Sequence, residues 1–468
     1  MSAHDEALVA LRGALGGRDC WIVGGAVRDR LRGRSDVADF DLVLDGDVRE
    51  AARLLARSAG AHAFALSDEF GAWRVSARSG DWHADLNPLR GAGIEADLAL
   101  RDFTVNAIAE PLAGGGALVD PLGGVGDLEL RRLRLVAADA LESDPLRAMR
   151  LVRLSCELDF EPDGDAISAA RDVAPRLVDI AAERIYAELA RILANDQAPA
   201  GMRMLGALGL TAVVLPELDA LGGIGQSHYH HLDVGEHTLA VLSELISLER
   251  DPSSVLGAAH GEQIQALLDE PLADDLDRRV ALRIGALLHD IAKPLTRTVA
   301  ADGRVAFPSH DELGAQLARS MMRRLRAAER MQSYVAALTR HHLRLGFLVH
   351  RSPLSRADLY DYLDACGPVG ADVTLLSIAD RLATRGARAS ESIESHLDLA
   401  REVIGEALLW HAEGPPRAPL AGDQLASALA IEPGPRLGEL LATLARARFT
   451  GEASTRDEAV ALARSLIA

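Results

Sequence analysis

Two aspartates one residue apart, Asp39 and Asp41, have the residue type and spacing to hold a divalent cation. They lie in Asp39-Phe-Asp-Leu-Val-Leu44, an alternation that predicts a strand, where side chains two apart share a face at roughly 6.6 Å. Phe40, Leu42 and Leu44 point the other way. One face packs, and the other carries like charges that are costly unless cations bridge them. Carboxylate oxygens of this kind suit Mg²⁺, which also takes substrate phosphates; a solvated outer strand face would read the same way. A second acidic strand, Trp82-His-Ala-Asp85-Leu-Asn-Pro88, makes Asp85 a third carboxylate beside that pair. Two metals held by three carboxylates can activate a 3′-hydroxyl and stabilise the pyrophosphate leaving in an in-line displacement.

Upstream, Gly24-Gly25-Ala-Val-Arg28-Asp29 follows a predicted strand and opens a predicted helix. Its freed backbone amides could face an anion, with Arg28 as a phosphate clamp. A plain tight turn is the alternative. Further on, Ser143-Asp144-Pro145-Leu-Arg147-Ala-Met-Arg150-Leu-Val-Arg153 starts with a capping residue and a first-turn proline. Asp144 and Arg147 are neighbours on one helix face, as an ordinary surface ion pair would also be. Cytosine and adenine both offer an amino donor beside a ring-nitrogen acceptor on the pairing edge, whereas guanine and uracil reverse the order. One carboxylate beside one guanidinium therefore admits C and A and rejects G and U, so a helix could act as the template.

A third set is His237, the pair His289-Asp290, and Asp380, with His310 and His341-His342 between them. Histidine and carboxylate from separate helices can converge on a divalent transition metal. Cys20, Cys156 and Cys366 are far apart and form no CxxC pair, which suggests neither a disulfide framework nor a thiolate zinc site.

The motifs Gly24-Gly25-Ala-Val-Arg28-Asp29, Asp39-Phe-Asp41, Leu-Arg101-Asp102-Phe-Thr-Val-Asn106-Ala and Asp120-Pro-Leu-Gly123-Gly124, in this order and spacing, resemble the class II CCA-adding enzyme and bacterial poly(A) polymerase family. The resemblance implies catalytic Mg²⁺ on Asp39 and Asp41, and a triphosphate at Gly24, Gly25 and Arg28. It also implies that Arg101 and Asp102 meet the nucleotide near its ribose, and it carries Asn106 as part of the same nucleotide-binding motif. Asp144 and Arg147 match the family's nucleotide-selecting motif, and Arg150 and Arg153 its further nucleotide-binding arginines. Many relatives have Glu directly before that Asp, where this chain has Ser143. Ala182-Glu183-Arg184-Ile-Tyr186-Ala-Glu188-Leu resembles the family's neck helix, read as support for the selecting helix.

The histidine set resembles the HD phosphohydrolase superfamily. That implies a divalent transition metal of the Ni, Mn or Fe type on His237, His289, Asp290 and Asp380, and a second metal on His310 and His342 or its neighbour His341. It also implies hydrolysis of phosphoesters, with Lys293 available to a phosphate.

These sites need scaffolds. Residues 19 to 135 alternate short apolar strands with glycine turns and helical patches, and from about 140 onward apolar residues recur at helical spacing. The expected architecture is an α/β nucleotidyltransferase head, a small mixed sheet with helices, followed by an all-α neck, an HD-type helical body and a helical tail. The expected domains are residues 1–138, 139–220, 221–412 and 413–468. Asp251 through Asp277 reads as a surface excursion, and Gly414-Pro-Pro-Arg-Ala-Pro419 as a linker.

The chain has 468 residues, 49% hydrophobic and 25% charged, which suits several buried cores and excludes a disordered or fibrous protein. No apolar run is long enough for a membrane helix and no leader pattern opens the chain, so the expected location is cytoplasmic. Fifty basic against 69 acidic residues give a net charge of −19. A whole-surface nucleic-acid footprint is therefore excluded, and RNA must lie on a minority basic strip.

The reading is a template-independent tRNA nucleotidyltransferase that adds C, A or both from CTP and ATP to the tRNA 3′ end with Mg²⁺. It needs no membrane and no obligate protein partner. The alternatives are a poly(A) polymerase, or an HD-type phosphohydrolase with a nucleotide-binding head.

Overall fold

The alternation at Asp39–Leu44 does form a strand, with Phe40, Leu42, Val43 and Leu44 buried while Asp39 and Asp41 stay exposed. It is the second of the six strands of one sheet: β1 (Cys20–Val23), β2 (Asp39–Leu44), β3 (His62–Ser67), β4 (Ala72–Ser76), β5 (His83–Pro88) and β6 (Ala109–Pro111). In the sheet they lie in the order β3-β4-β5-β2-β1-β6. Only β2 and β5 pair in parallel; the remaining pairs are antiparallel, so the sheet is mixed as expected.

The computed structural model describes residues 3–34, 36–67, 70–226, 231–351, 353–385 and 389–467. They group into one unit of residues 1–180 with 207–213 and another of 181–206 with 214–468.

One face of the sheet packs Ile22, Phe40, Leu42, Leu44, Val75, Ala84 and Leu86 against the amphipathic helices α1 (Ala3–Leu15) and α3 (Val48–Ala59), which contribute Leu11, Leu15, Ala52 and Leu55. Truncating a core aromatic such as Phe40 to alanine costs about 3–5 kcal/mol. Asp47 starts α3 by accepting the Glu50 amide at 2.9 Å, and Gly60 in the left-handed region ends it. The short α2 (Gly25–Leu31) follows β1 directly. On the opposite face Val23, Val43 and Ala109 are covered by Leu98 and Ala107. That cover does not include the other face residues of β2, β5, β4 and β3. After the sheet comes the helix α4 (Arg147–Leu158).

The second unit is helical. The helices that matter below are α5 (Val234–Arg250), α6 (Arg278–Leu288), α7 (His310–Arg324), α8 (Glu329–His341) and α9 (Gly370–Ala383). Asp233 and Asp277 cap α5 and α6 by accepting the amides three residues on, at 2.8 and 2.9 Å. α6 is buried nearly all round, which makes it the central helix of this unit. Its Arg283 pairs with buried Glu249 at 2.6 Å and donates to the carbonyls of Leu193 and Asn195. These carbonyls end the helix Ala182–Ala194. The segment read from sequence as a brace for the selecting helix lies in the second unit, where Arg283 holds its C-terminal end.

Asp251 through Asp277 departs from the expected surface excursion. It forms helices Pro252–Leu256 and Ala258–Leu268 and a two-stranded hairpin, and buries Leu256, Ile264, Leu267 and Leu268. The helices are too short for their apolar spacing to show through the turn residues. Three tail helices, Gly422–Leu429, Pro435–Thr450 and Arg456–Ile467, share a core of their own after the irregular Gly414–Pro419 stretch. All three cysteines are buried free thiols. No helix among the described residues is long and apolar enough to cross a membrane.

Candidate active site and metal centre

In the parallel pair β2/β5, Asp41 is the direct partner of Asp85, and Asp39 that of His83. The register therefore puts Asp39, Asp41 and Asp85 on one sheet face. Across β4/β5, Asp85 faces Arg74, whose guanidinium binds both carboxylate oxygens at 2.6 and 2.7 Å. More than a third of Asp41 remains accessible, while protein atoms crowd round its carboxylate. The partial loss of water pushes its carboxyl up to about 6; Arg101 works against the rise, and Asp85 and Asp39 add to it. Neighbouring carboxylates that resist joint ionisation form a donor set that a hard divalent cation satisfies.

The turn between β1 and α2 leans against this row. Gly24 has φ +69°, and a methyl group there would stand 3.2 Å from Asp41 Oδ2 and 3.4 Å from Arg101 Nη1. Glycine is required twice over, by backbone conformation and by space. Gly24 at the start of α2 offers no side chain to cap it.

Arg28 is buried and turned toward protein. It binds both oxygens of Asp29, at 2.8 and 3.0 Å, and Asn106 Oδ1 at 2.7 Å. Asn106 passes the link on by donating to Asp102 Oδ1 at 3.1 Å, and Arg150 grips Asp102 Oδ2 from α4 at 2.5 and 2.9 Å. Burial alone would raise the Asp102 carboxyl. Arg150, the Phe103 amide and Asn106 overcome that and hold it down to about 2. Arg101 donates to Asp97 at 3.2 Å, and Arg90 holds the same carboxylate at 2.8 Å. The buried Nε of Arg101 has no hydrogen-bond partner among the described residues.

Arg147 donates to the carbonyls of Leu100, Arg101 and Ala140 at 2.8–3.0 Å. The start of α4 is thereby fastened to the backbone of the Arg101-Asp102 segment. Asp144 accepts the Leu146 amide at 3.3 Å. Arg153 is 3% exposed and pairs with Glu157 at 2.8 Å. In the Asp120–Gly124 motif, Asp120 accepts the amides of Gly124 and Val125 at 2.6 and 2.9 Å, which starts a short helix. A Cβ on Gly124 would lie 2.2 Å from the Thr104 carbonyl oxygen, so this motif packs the loop rather than touching the carboxylates.

In the second unit, His237, His289 and Asp380 form one group, and Asp290, His310 and His342 another. In each, the ligand atoms lie within 4.8 Å of one another. Asp290 joins them. Its Oδ2 is 3.1 Å from His289 Nε2, 3.8 Å from His237 Nε2 and 2.6 Å from Lys293 Nζ. Its Oδ1 is 3.4 Å from His310 Nε2 and 3.7 Å from His342 Nε2. His289, His310 and His342 each place Nδ1 2.7 Å from the carbonyl three residues earlier. A carbonyl only accepts, so the proton sits on Nδ1 and the Nε2 lone pair faces inward, as a metal ligand requires.

Those three Nε2 atoms are buried without a hydrogen-bond partner among the described residues. Burial, followed by His289, pulls His342 down to about 4, keeping it neutral. Burial also acts to lower His289, but Asp290 and Asp380 outweigh it and raise the imidazole. Of the two neighbouring histidines it is His342 that lies in the cluster, while His341 accepts from Arg344 at 2.8 Å. Lys293 is paired with Asp290 and Gln226.

Sequence reasoning missed Arg74, the partner of Asp85, and the Arg90–Asp97 pair behind Arg101. Arg74 was detectable as the polar position of Ala-Trp-Arg-Val-Ser, but only once that strand is set beside Asp85.

Three family models match: the poly A polymerase head domain over residues 20–134, the probable RNA and SrmB-binding site of polymerase A over 159–221, and the HD domain over 234–385. The chain is 38% identical to the A-adding tRNA nucleotidyltransferase of Deinococcus radiodurans, over 94% of this chain and 93% of the relative. It is 34% identical to the CC-adding tRNA nucleotidyltransferase of Thermus thermophilus, over 94% and 92%. Among solved structures, a complex of CCA-adding enzyme with ATP superposes with a TM-score of 0.63 at 17% identity, covering 99% of this chain and 94% of that one.

Proposed function

Because the chain belongs to the family of tRNA nucleotidyltransferases and poly(A) polymerases with an appended HD domain, we propose that the carboxylate row of its head is the nucleotidyl-transfer centre. The protein is a tRNA nucleotidyltransferase, and its substrates are the tRNA 3′ end with CTP, ATP or both. The single observation that carries the site assignment is the in-register pair Asp41–Asp85, one residue from Asp39 on the same face.

Asp39 and Asp41 would hold Mg²⁺, with Asp85 kept beside them by Arg74. When bound, the metal supplies charge neutralisation for the triphosphate and makes the 3′-hydroxyl more acidic. Arg101, whose Nη1 would stand 3.4 Å from a Cβ on Gly24, is assigned to the nucleotide near its ribose. Arg28 braces Asp29 and, through Asn106, Asp102; among the described residues this uses three of its five N–H groups, and the other two are assigned to a phosphate. The bond formed joins the primer 3′-oxygen to the α-phosphorus. The bond broken is the one to the bridging oxygen, and pyrophosphate leaves.

Asp144 and Arg147 would select C and A by the acceptor and donor order of the base edge. Arg147 already reaches the Arg101 backbone, so the selecting residues adjoin the segment assigned to the ribose. In the HD domain the donor set of two groups sharing Asp290 fits a pair of transition-metal ions, and the chemistry such ions supply is hydrolysis of a phosphoester. We place the activity in the cytoplasm.

The test is incubation with Mg²⁺, one labelled nucleotide at a time from CTP, ATP, GTP and UTP, and tRNA transcripts ending before C, CC or CCA. Incorporation confined to CTP or ATP is expected, and the transcript extended identifies the step performed. Equal use of GTP or UTP refutes the Asp144 and Arg147 roles, and no incorporation refutes the function. For the second centre, hydrolysis of 2′,3′-cyclic phosphate with Ni²⁺ or Mn²⁺ that Asp290→Ala leaves unchanged overturns that assignment.

A further inference from the structure

The sheet register defines more than the carboxylates. Asp41 on β2 faces Asp85 on β5, Asp85 faces Arg74 on β4, and Arg74 faces Phe64 on β3. Residues directly opposite one another share a face, so these four form a row running from the metal-binding strand to the free edge of the sheet. At about 4.8 Å per strand the row is roughly 14 Å long. Toward β1 the same face is closed, because Val23, Val43 and Ala109 are covered by Leu98 and Ala107. Toward β3 it is open, and Phe64 at its end is 48% exposed.

We propose that this open half of the face is the bed for the last nucleotides of the RNA being extended, with Phe64 as a stacking platform for one of their bases. The proposal rests on the nucleotidyl-transfer reading and adds the location of the second substrate. In an in-line displacement the attacking and leaving oxygens stand on opposite sides of the α-phosphorus. The triphosphate side is the Gly24-Gly25 turn at the end of β1, one strand away from β2. The attacking 3′-oxygen must then come from the β5 side, and the chain behind it lies over Arg74 toward Phe64.

The chemistry of the row favours bases over phosphates. Arg74 is already neutralised by both oxygens of Asp85, so it offers no spare cation to a phosphate. The ring of Phe64 offers what any base accepts, a flat π-face, which suits an enzyme that extends tRNAs regardless of sequence.

The test uses the full chain with tRNA transcripts lacking their terminal nucleotides. Phe64→Ala is expected to raise KM for tRNA about five-fold or more, the size of one lost stacking contact. Turnover and KM for the nucleotide should change less than about two-fold, since the triphosphate side is untouched. Phe64→Tyr should restore the tRNA KM. The slope of log KM for tRNA against log salt should be the same in Phe64→Ala as in the unmodified protein, because no phosphate contact is lost.

An unchanged tRNA KM in Phe64→Ala, a rise in nucleotide KM instead, or a shallower salt slope overturns the proposal. Failure of the unmodified protein to extend tRNA would strike the underlying function instead, so the two failures are told apart.

Discussion

Arg74 reaches from β4 to Asp85 on β5 and occupies both of its carboxylate oxygens, at 2.6 and 2.7 Å. Asp39 and Asp41 on the neighbouring strand are more exposed than Asp85 and have no such bidentate partner among the described residues. The three carboxylates should therefore differ in weight. Asp39→Asn and Asp41→Asn are each expected to lower turnover about 10³-fold or more, the scale of losing a directly acting charge. Asp85→Asn, whose charge is already matched, should cost about 10- to 100-fold, as supporting residues around a metal do. Single-turnover extension at saturating tRNA and nucleotide measures all three. Equal losses would mean that Arg74 releases Asp85 on metal binding.

A buried carboxylate held low gives a pH signature. Asp102 titrates near 2 in the folded chain against an ordinary value of 3.8, because Arg150, the Phe103 amide and Asn106 outweigh its burial. A depressed folded value stabilises above the unfolded value and is lost as pH falls through the folded one. The contribution is roughly 2 kcal/mol, present above about pH 4 and gone near pH 2. Urea unfolding of the unmodified protein and Asp102→Asn should show a stability gap that narrows from pH 5 to pH 2.5. A gap constant over that range would contradict the network.

Local patterns explain what was readable in advance. Phe40 between two aspartates announces a strand with one packed and one charged face, because strand period is two and needs no partner to be seen. The neighbours of that strand are another matter. Asp85 lies 44 residues after Asp41 and Arg74 lies 33 after it, and nothing local says that β5 pairs in parallel with β2 or that β4 lies beyond it. Hence Asp85 could be named and Arg74 could not. The HD residues were legible by type and order, but the place of Asp290 between the two groups, and of His342 rather than His341 beside it, depends on how the chain turns at the ends of α6 and α8. Arg28 shows the limit of reading from a motif: its charge suggested a phosphate clamp, while three of its hydrogen bonds go to Asp29 and Asn106.

The HD centre should bind metal whether or not it turns anything over. Its inward Nε2 atoms and the shared Asp290 carboxylate form a preformed site, and a ligand that binds only the folded state stabilises by about 2.7 kcal/mol at a hundred times its dissociation constant. Added Mn²⁺ or Ni²⁺ should raise the melting temperature of the unmodified protein, and EDTA should reverse the rise. In Asp290→Asn the metal-dependent increment should vanish, whatever happens to the variant's own melting temperature. The increment, not the absolute value, is the readout. An Asp290→Asn protein that keeps it would show that the two groups do not share this carboxylate.

Gly24 can be tested against a matched control. It has φ +69°, and a Cβ would stand 3.2 Å from Asp41 Oδ2 and 3.4 Å from Arg101 Nη1; Gly33, with φ +85°, would place its Cβ within 4 Å of nothing. Alanine at either position carries a backbone strain of about 1–3 kcal/mol. Only at Gly24 does the added carbon also press on the carboxylate row and on Arg101. Both variants should therefore lose comparable thermal stability. Gly24→Ala should in addition lose about ten-fold or more in turnover, since small misplacements of reacting groups are heavily penalised, while Gly33→Ala keeps its turnover. Equal turnover in the two variants, measured on the same tRNA transcript at saturating nucleotide, would mean that the close approach of Gly24 to Asp41 has no part in positioning the carboxylate.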